Sequence, residues 1–277
     1  MPLVLGMVLK VIFEPEQSGI SISGALIYFT IPMPIQNLPI TESQVNSALV
    51  IVTILFLCLY FTHGLTVRAE LKRQHIAEWI VKQTKSLVKT NMSDYFAGFA
   101  PFVAAIMGLS AFSSLLSLIG LYPPTSDINI VGGWAILVFI LITYYKMKCG
   151  PLHYVKSFGD PVPLLSPLNI ISEVATPVSM AFRHYGNVLS GSVISVLVAT
   201  GLQGLSNLLL GWLPGFLGKI PFLQIGLPAI LSVYFDVFSG CLQAFIFAML
   251  TMLYIASGFP EEDYFAKRAR KLQKSKN

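Results

Sequence analysis

The sequence predicts an all-α membrane protein with about five membrane-crossing helices, the last two forming a long, steeply tilted hairpin. Three observations point there. Hydrophobic residues make up 55% of the 277-residue chain and charged residues 11%, whereas ordinary soluble domains carry about 25% charged residues. Several apolar runs reach the roughly 20 residues that a spanning helix needs. Fifteen of the eighteen Lys and Arg residues gather in three clusters, 66–94, 146–163 and the tail after 258. Beside apolar spans, such clusters mark cytoplasmic loops rather than a nucleic-acid surface. A transmembrane β-barrel would show short alternating segments in place of long runs.

The elements follow in order. Residues 1–44 form an N-terminal extracytoplasmic or interfacial segment, in which Pro15, Pro32, Pro34 and Pro39 interrupt any long helix. Its first apolar run lacks a preceding basic region and a small-residue cleavage site, so it does not read as a removable signal. "ISISGALIYFTIPMPI" alternates weakly and reads as extended or interfacial. The transmembrane domain covers 45–258. Its first span is 45–65, followed by an amphipathic cytoplasmic loop over 66–94 with six Lys and Arg. A second span runs from about 95 to 121 and ends at "YPPTSDIN", where Thr125 to Asp127 carry helix-start chemistry. The third runs from about 128 to 145.

Two longer segments complete the domain, about 167–210 and 222–258. Each would measure on the order of 55–65 Å as a helix, about twice a hydrocarbon core of roughly 30 Å. They are either broken helices or long helices lying steeply tilted. Pro167 and Pro177 permit a kink in the first. "GWLPGFLGKIP" between them suits a hairpin connection. Five crossings with all three basic clusters in the cytoplasm put the N-terminus outside and the basic tail, 259–277, inside. The two outer turns then hold a single lysine, Lys219.

Against this apolar background the polar residues carry the chemistry. Between Pro161 and Pro260 the charged residues are Glu173, Arg183, Lys219 and Asp236. An arginine at the centre of a membrane helix costs about 2.5–3.5 kcal/mol on insertion scales, which makes it a functional candidate. Thr176, Ser179, Gly186, Asn187 and Ser190 share its helical stripe, at offsets that stack along one face. Val178, Met180, Phe182, Val188 and Leu189 are expected opposite. This hydrated stripe suits a partner that presents an anion. His184 reads as a packed or interfacial histidine. A second polar face joins Asp236 and Gln243 with Ser232, Ser239 and Gly240. A carboxylate there can exchange a proton or coordinate a hydrated cation, or it can simply bond between helices. Glu173 lies towards the cytoplasmic end, either lining an opening or solvated at the interface. Cys58, Cys149 and Cys241 have no paired spacing, so neither disulfides nor a metal site is expected. A phosphate-binding G-x-x-x-x-G-K-[ST] loop is absent, so this chain performs no nucleotide chemistry and needs no cofactor.

"PVSMAFRHYGNVLSG" resembles the arginine signature of the subunit a family of rotary F-type ATP synthases. "LQAFIFAMLTMLYIA" is similar to that family's final-helix signature, and "PPTSDIN" to its outer turn. The three stand in the family's order and cover about residues 45–260. The resemblance implies a non-catalytic stator subunit whose hairpin packs against a rotating ring of c subunits. That subunit forms two offset half-channels for protons or sodium ions. Arg183 matches the essential arginine, with Asn187 and Gln243 the polar residues flanking its contact. Asp236 and Ser192 match outer half-channel positions where the family usually has Glu or His, and Thr176 stands where many members have Lys. Glu173, Ser179 and Ser239 complete the expected ion path. The implied partners are the c-subunit ring, peripheral-stalk b subunits and the lipid bilayer. The implied location is a bacterial plasma membrane, or an energy-converting organelle membrane for an organelle-encoded copy. The alternative reading is a secondary transporter or channel in which Arg183 binds an anionic substrate.

Overall fold

The structure is a computed structural model, which describes residues 2–13, 24–34, 36–66, 71–148, 150–159, 164, 166–210, 226–259, 261 and 264–265. The Gly- and Pro-rich connection at 211–221 and most of the basic tail lie outside the described residues. Among the described residues, five helical stretches are long and apolar enough to cross a membrane.

Helix α1 (Pro2–Phe13) precedes an antiparallel hairpin of β1 (Ile27–Ile31) and β2 (Leu38–Thr41). Within the weakly alternating stretch, read as extended or interfacial, Ile27–Ile31 is extended. Helix α2 (Glu42–Thr62) is the first span, and Gln44 Oε1 accepts from the Thr41 N–H at 3.4 Å at its start. Helix α3 (Lys72–Asn91) is the amphipathic element of the basic loop. A 3-10 turn, Asp94–Phe99, leads into α4 (Ala100–Leu115), and a second, Leu116–Ile119, ends at Gly120. The φ of 75° at Gly120 is left-handed, a conformation in which glycine has no Cβ to clash.

Helix α5 (Ile128–Met147) begins where expected: Asp127 accepts from the Asn129 N–H at 2.9 Å, an N-cap that satisfies an orphan donor. The same loop is pinned to α2. Ser43 donates to Asp127 at 2.5 Å, Asn46 to the Tyr122 carbonyl at 2.9 Å, and the Tyr122 N–H to Glu42 at 3.3 Å. Burial, then Asp127, Tyr185 and Glu42, push the Tyr122 phenol above its usual range.

The short α6 (Pro151–Ser157) leads to α7 (Ser166–Leu210), a single helix of 45 residues with Pro177 inside it. Of the two readings for this segment, the long unbroken helix holds. The final segment is interrupted instead: α8 (Leu227–Ser232), a π-helical stretch at Val233–Ser239, then α9 (Gly240–Gly258).

The core lies where α4, α5 and α9 meet, around Val103, Ile106, Val138, Phe247, Met252 and Ile255, with Met180 of α7 packed against it. Small residues bring α4 and α9 together: Ser110, Ser113, Ser114, Gly240, Ala244 and Ala248 are all buried. Lipid tails are as apolar as leucine, so helices in a bilayer associate through such close packing and through polar bonds. The Gly240 approach is the tightest, since a Cβ there would stand 2.5 Å from Ser114 Cβ.

Candidate functional site

Helix α7 presents two different faces at its middle. Arg183 is exposed, and so are Ser179, Asn187, Ser190 and Ser192, while Thr176 and Gly186 are half-buried. The polar stripe expected from the spacing is therefore real. Among the described residues Arg183 has neither a hydrogen bond nor an ion pair. A guanidinium with five donors on a spanning helix finds no anion among the described residues.

The apolar residues of the helix divide between core and surface. Met180 is buried in the core, but Val178 and Phe182 are exposed at 46% and 60%. With Val174, Pro177 and Ala181 they line a cavity of about 290 Å³ against Ile136 and Phe139 of α5. Nothing in a bilayer forces an apolar side chain inward, so apolar residues occur on both the packed and the lipid-facing sides.

Asn187 and Gln243, expected on two separate polar faces, meet. Asn187 donates to the Gln243 Oε1 at 2.8 Å, joining α7 to α9 four residues beyond the arginine. Gln243 itself is buried. Gly191, one turn further on, lies under Phe235, whose ring atoms would stand 3.0 Å from a Cβ there.

Asp236 sits in the π-helical stretch, half-buried, and accepts from Ser232 at 2.5 Å. Single π-turns inside α-helices recur at functional sites. Ser239 is half-buried on the same stretch, and Gly240 is buried against α4. The Ser192 hydroxyl is exposed and donates to the Leu189 carbonyl of its own helix at 2.8 Å.

Glu173 is held at the other end. Its Oε1 lies 3.2 Å from Lys146 Nζ and accepts from the Tyr154 hydroxyl at 2.9 Å, and its side chain is 9% exposed. It is thus neutralised between α5, α6 and α7. Burial first, then the bond to Glu173 and its charge, push the Tyr154 phenol up to about 12.

His184 is fully buried among α4, α5 and α9, so the packed reading of that residue holds. Sequence reasoning missed three features: the π-helical stretch, the serines of α4 that face α7 and α9, and an aromatic cage around Lys148. For the serines a signal existed, since Ser110, Ser113 and Ser114 recur at helical spacing within an apolar span. No group of three or more metal-ligating side chains occurs among the described residues.

Comparison with known proteins covers the same region. The family model "ATP synthase A chain" matches residues 45–256. The chain is 33% identical over 227 residues to an ATP synthase subunit a of Bacillus pumilus (strain SAFR-032), covering 76% of this chain and 88% of that protein. It is 31% identical over 239 residues to the subunit a of Priestia megaterium (strain ATCC 12872 / QMB1551), covering 80% and 94%. It is 27% identical over 237 residues to that of Legionella pneumophila (strain Paris), covering 85% and 93%.

Proposed function

The chain belongs to the ATP synthase A chain family, and from that premise we propose that it is a stator subunit passing ions to and from a rotating ring of c subunits. One observation carries the reading: Arg183 is exposed on a spanning helix with no anionic partner among the described residues. The anion then comes from another chain. A ring carboxylate supplies it, one ring subunit at a time.

The two half-channels follow from the positions of the other polar groups. Asp236, Ser192 and Ser239 line the outer one, where an entering proton or sodium ion reaches the ring carboxylate and neutralises it. The neutral subunit can then turn into lipid. Glu173 and Ser179 line the inner one, where the ion leaves. The bare carboxylate next meets Arg183, whose charge favours the ionised form and repels a cation crossing directly between the half-channels. Asn187 and Gln243 brace that contact across α7 and α9. One charge crossing the membrane is worth about 2.3 kcal/mol per 100 mV, so torque for ATP synthesis accumulates over several ions.

The basic loops lie in the cytoplasm and the N-terminus outside, in a bacterial plasma membrane, with a c ring and peripheral-stalk b subunits as neighbours. The multi-pass architecture and the bacterial relatives support this placement. With membership of the family established, no observation favours the transporter reading. The test is reconstitution of the purified complex with Arg183→Ala. We expect the complex to assemble with its c ring, while ATP-driven ion pumping is abolished. Full coupled pumping by that variant overturns the stator reading.

A further inference from the structure

The residue next to Arg183 points the other way and is bonded. His184 is 0% exposed, and its Nε2 lies 3.2 Å from the Ser110 hydroxyl of α4, itself 0% exposed. Trp134 of α5 meets the imidazole edge-on at 6.0 Å between ring centroids, and Phe247 of α9 meets it likewise at 5.6 Å. Three helices therefore hold one ring of a fourth.

This placement is not what apolar packing alone calls for. The second ring nitrogen, Nδ1, is buried with no hydrogen-bond partner among the described residues. Burying such a group unpaired costs its lost hydration, and an aliphatic side chain would fill the space without that cost. What the imidazole adds is direction. Its bond to Ser110 has one favourable orientation, whereas an apolar contact tolerates rotation.

Direction matters here because of Pro177. It has no N–H to donate to the carbonyl four residues earlier, so the backbone ladder of α7 is interrupted shortly before Arg183. Successive helical residues are about 100° apart, so fixing His184 inward fixes Arg183 on the exposed side. Asn187 and Gly191 hold the helix beyond the arginine. His184 holds it at the arginine.

We propose that His184 is a positioning residue: its bond to Ser110 and its seat between Trp134 and Phe247 set the rotation of α7 that aims Arg183 at its anion. The proposal rests on the stator reading, and the experiment separates the two. In the complete complex, with Cys58, Cys149 and Cys241 replaced by serine, single cysteines are placed at 178, 179 or 190. Each is cross-linked to a cysteine on the ring-facing helix of the c subunit.

In the parent, positions 179 and 190 cross-link and 178 does so weakly. His184→Ala makes 178 comparable to 179 and lowers coupled pumping by about tenfold or more, since a misplacement on the order of 1 Å is that damaging to reacting groups. His184→Gln, which keeps a donor towards Ser110, restores the parent cross-linking ratio. If His184→Ala does not assemble, Ser110→Ala carries the test, because it removes the bond and little volume. An unchanged cross-linking pattern with unchanged pumping in the assembled variant overturns the positioning role alone. Failure of 179 and 190 to cross-link in the parent overturns the stator reading, and the positioning role with it.

Discussion

Arg183 and Asp236 are both charged residues within apolar helices, and their surroundings differ in a way that assigns different chemistry. Arg183 is exposed and unpaired among the described residues, as a group proposed to meet an external anion should be. Asp236 is half-buried and accepts from Ser232 one turn before it at 2.5 Å. A carboxylate with one bonded oxygen and one left over can still take up an ion. We expect Asp236→Asn to slow ion flux through the membrane sector by about a hundredfold, the low end of the roughly 10²–10⁴-fold that a positioned proton-transfer group contributes. Passive flux through reconstituted membrane sectors, measured over a broad pH range, checks this. Unchanged flux assigns Asp236 to helix packing. The arginine and its stripe were legible in the sequence because 3.6-residue spacing on an uninterrupted helix places the side chains directly. The burial of Met180 and the exposure of Phe182 were not legible, because hydropathy does not distinguish lipid from protein as a neighbour.

At the scale of elements, the contrast lies between α7 and the segment that follows it. Helix α7 runs unbroken for 45 residues through Pro177, about 65–70 Å at 1.5 Å per residue. That exceeds a roughly 30 Å hydrocarbon core about twofold, so it cannot stand upright within the bilayer. The one internal proline of the last segment, Pro228, stands in the first turn of α8 and announces no break further on, yet the segment carries the π-helical stretch at Val233–Ser239. There the hydrogen bonds reach one residue further, and extrapolating a helical face from Asp236 to Gln243 loses its basis. Just after that stretch Gly240 packs closely against Ser114 of α4. Gly240→Ala would force a backbone shift, because the atom it meets is the Cβ of another helix. We expect it to destabilise the α4–α9 pair by about 1–3 kcal/mol, the usual cost of overpacking. Thermal unfolding in detergent measures this, and Ser114→Gly in the same chain should restore most of the loss. Absence of that rescue places the strain elsewhere.

Across the molecule, a cluster of aromatic residues and one lysine closes one end of the core. Lys148 Nζ hydrogen-bonds the Tyr95 hydroxyl and lies 4.8 Å from the Tyr95 ring centre and 5.0 Å from that of Tyr145. It lies 5.7 Å from the ring centres of Tyr144 and Tyr264. Tyr95 also stacks on Phe259 at 4.6 Å. The cage thus joins the start of the second span, the end of α5 and the residues after α9. Burial alone would lower the Lys148 ammonium, but its bond to Tyr95 and the neighbouring tyrosines outweigh that, and the net direction is upward. A raised value means that stability from this group is present below the ordinary lysine range. It is lost as pH rises through the folded-state value. Cation–π contacts contribute about 0.5–1 kcal/mol at exposed sites, so Lys148→Met should loosen the C-terminal end without unfolding the spans. Limited proteolysis at Lys267 and Arg268 should then be several-fold faster, and an unchanged rate would deny the cage that role.

What the sequence determined by itself is everything that depends on composition and on near-neighbour spacing. The five spans, the start of α5 at Asp127 and the polar stripe around Arg183 belong here. Each is set by the apolar requirement of the bilayer, by local capping, or by a fixed helical period. The tertiary structure alone decided which nitrogen of His184 meets Ser110, why Gly240 must be glycine, that Lys146 and Tyr154 neutralise Glu173, and that Lys148 sits among tyrosines. These contacts join residues tens of positions apart. In lipid they arise from close packing and polar pairing between helices, and which residue of another helix stands opposite is not written in the spacing along either one.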